Sequence, residues 1–76
     1  MRIEVRFHGE LRKYNGNRDA RILELPAGAT VYDALQRTGV PLEEIALVAL
    51  NGSRTDWNVT LKDGDSIKVF QMVAGG

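Results

Sequence analysis

The chain ends Met72-Val73-Ala74-Gly75-Gly76, and a carboxylate behind two glycines is the group in this sequence best placed to do chemistry. An α-carboxyl titrates near about 3.3–3.7, so it is anionic around neutrality. With no Cβ on Gly75 or Gly76, the terminal carbonyl is sterically open. Residues 73–76, fully extended, reach about 13–14 Å, far enough to thread into a buried active site of another protein. The tail is therefore expected to act as a presented group, with residues 72–76 lying beyond the folded part of the chain.

Other chemistry-bearing residues are few. His8 is the single histidine, and there is no cysteine. No local motif pairs His8 with a nucleophile, which leaves no hydrolytic dyad and argues against a metal site. Asp63 and Asp65 flank Gly64, and on turn statistics they read as Asx-type caps of a bend and not as metal ligands. Phe70 sits on the wrong parity of its strand to be core, and Met72 continues the same side. His8 lies on the outer side of the first strand, and would meet them if the first and last strands are neighbours. Two apolar residues beside the tail, with His8, make a candidate partner-contact surface.

Seventy-six residues form one domain, and a chain so short buries only about 60–65% of the surface its unfolded form exposes. The composition is 43% hydrophobic and 26% charged, as in ordinary globular proteins. Ten basic and ten acidic residues cancel, so net charge makes no case for a nucleic-acid or anionic-membrane partner. The lack of cysteine excludes a disulfide framework, a thiolate metal site and a persulfide on the chain itself. No apolar run resembles a signal peptide or approaches the roughly 18 residues of a membrane span. The expected compartment is the cytoplasm.

The elements that must position the tail follow from periodicity. Residues 2–8 alternate, with Ile3, Val5 and Phe7 on one face. Residues 10–14 can make one helical turn before an Asn15-Gly16-Asn17 turn. Residues 21–25 predict a second strand, ended by Pro26 and Gly28. Thr30 can cap a helix over residues 30–39, with Asp33 reaching back to the cap, and Val31, Ala34, Leu35 and Thr38 share one face. Gly39 and Pro41 stop it. The apolar run 45–50 predicts a central strand, Asn51-Gly52 a tight turn, and residues 54–58 an irregular or short strand. Lys62-Asp63-Gly64-Asp65 predicts a turn into a last strand at 66–70, with Ile67 and Val69 inward. The expected architecture is α+β, with the helix on one face of a mixed sheet and linking strands two and three. The expected core is Ile3, Val5, Phe7, Leu23, Leu25, Val31, Leu35, Val48, Leu50, Leu61, Ile67 and Val69.

Four stretches together cover nearly the whole chain: RFHGELRK, LELPAGATVYDAL, LVALNG and LKDGDSIKVFQMVAGG. In order and spacing they resemble the MoaD/ThiS sulfur carriers, which are ubiquitin-like β-grasp proteins. The resemblance implies a β-grasp domain over residues 1–76, with a mixed four- to five-stranded sheet, one main helix and a Gly-Gly tail. The long segment 9–19 favours the branch of the molybdopterin synthase small subunit. Gln71-Met72 departs from that branch, which commonly has Pro-Pro there.

The resemblance also implies a reaction sequence. A carboxylate cannot be displaced by sulfur directly, because oxide is a poor leaving group. Attack of the Gly76 carboxylate on the α-phosphate of ATP gives an acyl-adenylate, from which a sulfur donor displaces AMP to leave a C-terminal thiocarboxylate. The chain would bind no cofactor itself, the ATP being used by an E1-like adenylyltransferase. That enzyme and a larger synthase subunit are the implied partners, with Gly76 the reacting residue and Gly75, Ala74, Val73, Met72, Phe70 and His8 the contacts. Other readings are sulfur donation to thiamine thiazole or tRNA, a protein modifier joined to lysines through Gly76, and an interaction module with an inert tail. In none of them is the chain a catalyst on its own.

Overall fold

The computed structural model describes residues 1–71, so Met72, Val73, Ala74, Gly75 and Gly76 lie outside the described residues. Five strands form one sheet: β1 (Arg2–Phe7), β2 (Ala20–Glu24), β3 (Ile45–Leu50), β4 (Ser53–Arg54) and β5 (Ser66–Gln71). Their order across the sheet is β2-β1-β5-β3-β4. The β1–β5 pair is parallel and the others are antiparallel, so the sheet is mixed. One helix, α1 (Val31–Thr38), joins β2 to β3, and a 3-10 helix (Gly9–Asn15) joins β1 to β2.

The helix forms where the sequence caps it. Thr30 Oγ1 accepts from Asp33 N at 3.2 Å and Asp33 Oδ2 accepts from Thr30 N at 2.9 Å, closing a reciprocal capping box. Gly39, at φ 80°, ends it. Val31, Ala34, Leu35 and Thr38 are buried, the stripe expected from i, i+3, i+4, i+7 spacing. Arg21 of β2 donates from Nη2 to the Arg37 carbonyl at 3.0 Å, tying the last turn of α1 to the sheet.

Ile3, Val5, Ile67 and Val69 are fully buried under the helix, with Leu11, Leu35, Val31 and Val48. Every residue of the expected core is there except Leu50, which is only half-buried and packs at the margin of the cluster. Leu50 is the last residue of β3 and pairs with Ser53 of the two-residue β4, too short a strand to cover it. Leu11, Ala29, Val40 and Ile45 join the core from segments that the sequence leaves without a clear period.

The strand β3 lies inside the sheet, as its apolar run suggested, but only its last two residues pair with β4, and β5 holds the middle place. An uninterrupted apolar run implied burial on both faces, yet Ala46 is exposed and Leu47 half-buried. Those side chains face away from the helix, onto the open side of the sheet.

The register of β5 is set by the turn before it. Asp63 Oδ1 accepts from Arg2 N at 2.7 Å, and Gly64 N donates to the Arg2 carbonyl at 2.9 Å. Asp65 Oδ2 accepts from Lys62 N at 2.8 Å, and its Oδ1 accepts from Asn51 Nδ2 at 3.0 Å. Gly64 takes φ 89°, and Asn51 and Gly52 take 50° and 88° in the β3–β4 turn. Both aspartates are turn caps, as expected. They bind the start of β1 to the start of β5, and a one-residue slip would exchange the faces of β5.

Candidate functional site

The parallel β1–β5 ladder ends at Phe7↔Val69, and His8 N continues it by donating to the Val69 carbonyl at 3.0 Å. This places His8 beside Phe70 on the open face. Their rings lie 5.1 Å apart, tilted by 39°. Lys68 shares the face, with Nζ 5.4 Å from the centre of the Phe70 ring. On the other side of β5, Leu47 of β3 pairs directly with Phe70. His8, Gly9, Ala46, Leu47, Phe70 and Gln71 line a shallow apolar groove. The two body residues expected to meet partners, His8 and Phe70, are thus brought together at the root of the tail. The other five, Met72, Val73, Ala74, Gly75 and Gly76, lie outside the described residues.

Sequence reasoning missed two parts of this surface. Leu47 completes the apolar row, and its only sequence signal was an apolar residue at outward parity in β3. The second part is a cross-strand row of cations. Arg6 pairs with Lys68, Lys68 with Ala49, and Ala49 with Arg54, so three cationic side chains share one row of the open face. Arg6 also approaches Glu4 at 3.6 Å, whereas Lys68 and Arg54 make no ion pair among the described residues. A net charge of zero conceals this segregation, because only the strand register brings residues 6, 54 and 68 into line. Among the described residues no group of three or more His, Cys, Asp or Glu side chains could hold a metal ion.

The edges of the site are held by polar contacts. Gln71 Oε1 accepts from Glu10 N, joining the end of β5 to the start of the 3-10 helix. Tyr14 donates to Glu44 Oε2 at 2.7 Å, clasping that helix to the turn before β3. The same hydrogen bond to Glu44 raises the Tyr14 pKa above its ordinary value, with burial and the nearby Glu43 and Glu44 charges adding to it. Asp65 is displaced in the other direction: its bond from Asn51, then that from the Lys62 amide, hold its carboxyl below the usual value.

Residues 1–75 match the family model described as Mut7-C ubiquitin. The chain belongs to that family. Solved structures agree with the placement of this Mut7-C ubiquitin chain among MoaD/ThiS-type, ubiquitin-like β-grasp proteins. One is a Pyrococcus furiosus protein described as a putative molybdopterin converting factor, subunit 1. It is 29% identical over 96% of this chain and 99% of that one, with a TM-score of 0.79. Another is the Helicobacter pylori complex of subunits 1 and 2 of molybdopterin-converting factor, 29% identical over 100% of both chains, TM-score 0.66. SAMP1 from Haloferax volcanii is 21% identical over 100% of both chains with a TM-score of 0.80, a likeness of fold. No curated protein matches the sequence.

Proposed function

We propose that this chain is a sulfur carrier whose Gly76 carboxylate is adenylated and then converted to a thiocarboxylate, serving as small subunit of a molybdopterin synthase. The observation that carries the reading is the aromatic and apolar groove of His8, Leu47 and Phe70 at the root of a sequence ending in Gly75-Gly76. In the first step a carboxylate oxygen attacks the α-phosphorus of ATP and pyrophosphate leaves. In the second, hydrosulfide adds to the acyl carbon, AMP leaves with the C–O electron pair, and one proton is lost to give –C(=O)–S⁻. An E1-like adenylyltransferase supplies ATP and the activation chemistry. This chain supplies the open carbonyl of Gly76 and the surface that docks it.

Docking is needed on energetic grounds. Ordering residues 73–76 in a partner's channel costs about 1–2 kcal/mol each, roughly 4–8 kcal/mol together. Both side chains are already half-buried, so burying what remains exposed of Phe70 and Leu47 contributes about 0.8–1.5 kcal/mol apiece, which offsets part of that. The row of Arg6, Lys68 and Arg54 beside the groove favours a partner surface rich in carboxylates. The H. pylori complex supports a second subunit as one such partner. A synthase that takes sulfur from the tail would be the acceptor.

Intact mass measured after incubation with ATP, the adenylyltransferase of the source organism and sulfide tests the reading. The expected gain corresponds to one oxygen replaced by sulfur, lost when Gly75-Gly76 is deleted. Adducts on lysines of cellular proteins in place of that gain would make the chain a protein modifier, and an unchanged mass would leave an inert module.

A further inference from the structure

At the end of β5 the backbone pairing is one-sided, with β3 alone as partner at Phe70 and Gln71. The β1 ladder stops at Phe7↔Val69, and the β3 ladder shifts register between Ile45 and Leu47, just where Ile45 meets Gln71. The 3-10 helix beginning at Gly9 has the complementary deficiency. Its first N–H groups need acceptors, and the side chain of its N-cap, His8, makes no capping hydrogen bond. Gln71 answers both, because its side-chain carbonyl accepts from Glu10 N. The strand's last side chain thus caps the helix that follows β1.

A side chain at residue 9 would have to displace the Gln71 side-chain amide. Gly9 takes φ 59°, a conformation that favours glycine, and a Cβ built there would collide with the Gln71 amide, lying 3.0 Å from its Cδ. A residue without a side chain at 9 and one with an acceptor at the right reach at 71 form a matched pair.

We propose that Gln71 is the positioning residue of the tail, a latch that pins the last residue of β5 to the 3-10 helix so that the tail departs from one fixed point beside the docking groove. The latch deepens the carrier reading and rests on it. It uses Gln71 only as an acceptor. A side chain of similar length that cannot accept from an N–H should release the root, and a carboxylate should hold it. Releasing the root adds about one residue to the segment ordered at each charging event, which lowers the turnover of adenylate formation roughly five- to thirtyfold. Gln71 and Gly9 border the same groove, so the latch is read as a fall in kcat, and a change confined to KM would overturn it by making residue 71 a docking contact instead.

The experiment compares the full chain with Gln71→Met, Gln71→Glu and Gly9→Ala. Amide hydrogen exchange at Glu10 and the order parameter of the backbone N–H of residue 71 report the latch without any partner. Steady-state adenylation by the source organism's adenylyltransferase reports its consequence. Gln71→Met is expected to speed Glu10 exchange about two- to tenfold, the worth of one hydrogen bond, with Val5 and Ile67 unchanged. It should also lower the order parameter of the residue 71 backbone N–H and reduce kcat. Gly9→Ala should follow it, and Gln71→Glu should restore both readouts. Unchanged Glu10 exchange and residue 71 backbone order in Gln71→Met would overturn the latch. Wild-type kcat in a variant whose Glu10 exchange has risen would overturn its positioning role. If the unaltered chain is not adenylated at all, the carrier reading fails, and the exchange and order-parameter results still decide the latch.

Discussion

Phe70→Ala separates docking from folding more cleanly than any other single change in this protein. The ring is half-buried on the open face, touched by His8 at 5.1 Å and by the Lys68 ammonium at 5.4 Å, and none of its neighbours on that face is core. Truncation therefore removes one aromatic pair and a partly screened cation–π contact, about 0.5–1.5 kcal/mol of stability. In a complex the exposed half of the ring would be buried as well, and its loss should cost about 0.8–1.5 kcal/mol of binding. At 1.4 kcal/mol per factor of ten, the dissociation constant should rise roughly four- to tenfold. Calorimetric titration against the adenylyltransferase or the larger synthase subunit, with a thermal melt of the same preparation, measures both effects. Unaltered affinity with a melt lowered as far as a core cavity lowers it would refute the reasoning, because Phe70 would then be core and the face of β5 reversed.

The remaining expectations concern the body of the protein. Leu35→Ala should destabilise by about 2–4 kcal/mol in urea melts, since Leu35 is fully buried between α1 and the sheet; an unchanged midpoint would place the core elsewhere. Reversing Lys68 and Arg54 together to Glu should weaken docking about three- to tenfold at low salt. The difference should fade as the Debye length falls to about 3 Å near 1 M, and insensitivity to salt would remove the cationic row from the interface. Asp65 has a folded pKa below its unfolded one, so the unfolded chain binds more protons in that interval. Its contribution is complete above the unfolded value and lost as pH falls through the folded one. The stability gap between the unaltered chain and Asp65→Asn should therefore shrink below about pH 4, and a gap constant with pH would show that Asp65 is not held by Asn51 and Lys62.

What the sequence disclosed was whatever depends on local period and local capping. The alternation of β1 and β5, the Thr30–Asp33 box and the Asn51-Gly52 turn are decided by neighbours in the chain, and each formed as read. So did the outward parity of Phe70. Long-range pairing was less legible. A run of six apolar residues at 45–50 suits a central strand, but here it serves a strand with one buried face and one apolar patch on the open face. Burial and binding both ask for apolar side chains, and period alone cannot separate them. The cationic row and the Gln71–Glu10 contact depend on which strands are neighbours and in what register. No spacing along the chain encodes Arg6 beside Lys68, or Gln71 beside Glu10.

Register also explains why three roles can sit on three consecutive residues. Val69 faces the helix and is fully buried, Phe70 faces the open side, and Gln71 turns its amide to the 3-10 helix. Core, proposed docking surface and tail root are thus a single strand read at successive positions. A slip of one residue would bury Lys68 and Phe70 in place of Val69 and carry Gln71 away from Glu10. The aspartates that prevent such a slip, Asp63 and Asp65, lie at the opposite end of β5 from the tail. Damage to that turn should then disturb tail presentation while the groove residues and the latch remain unmutated. Asp63→Ala, which removes the acceptor for Arg2 N, is the variant in which folding and docking defects should appear together.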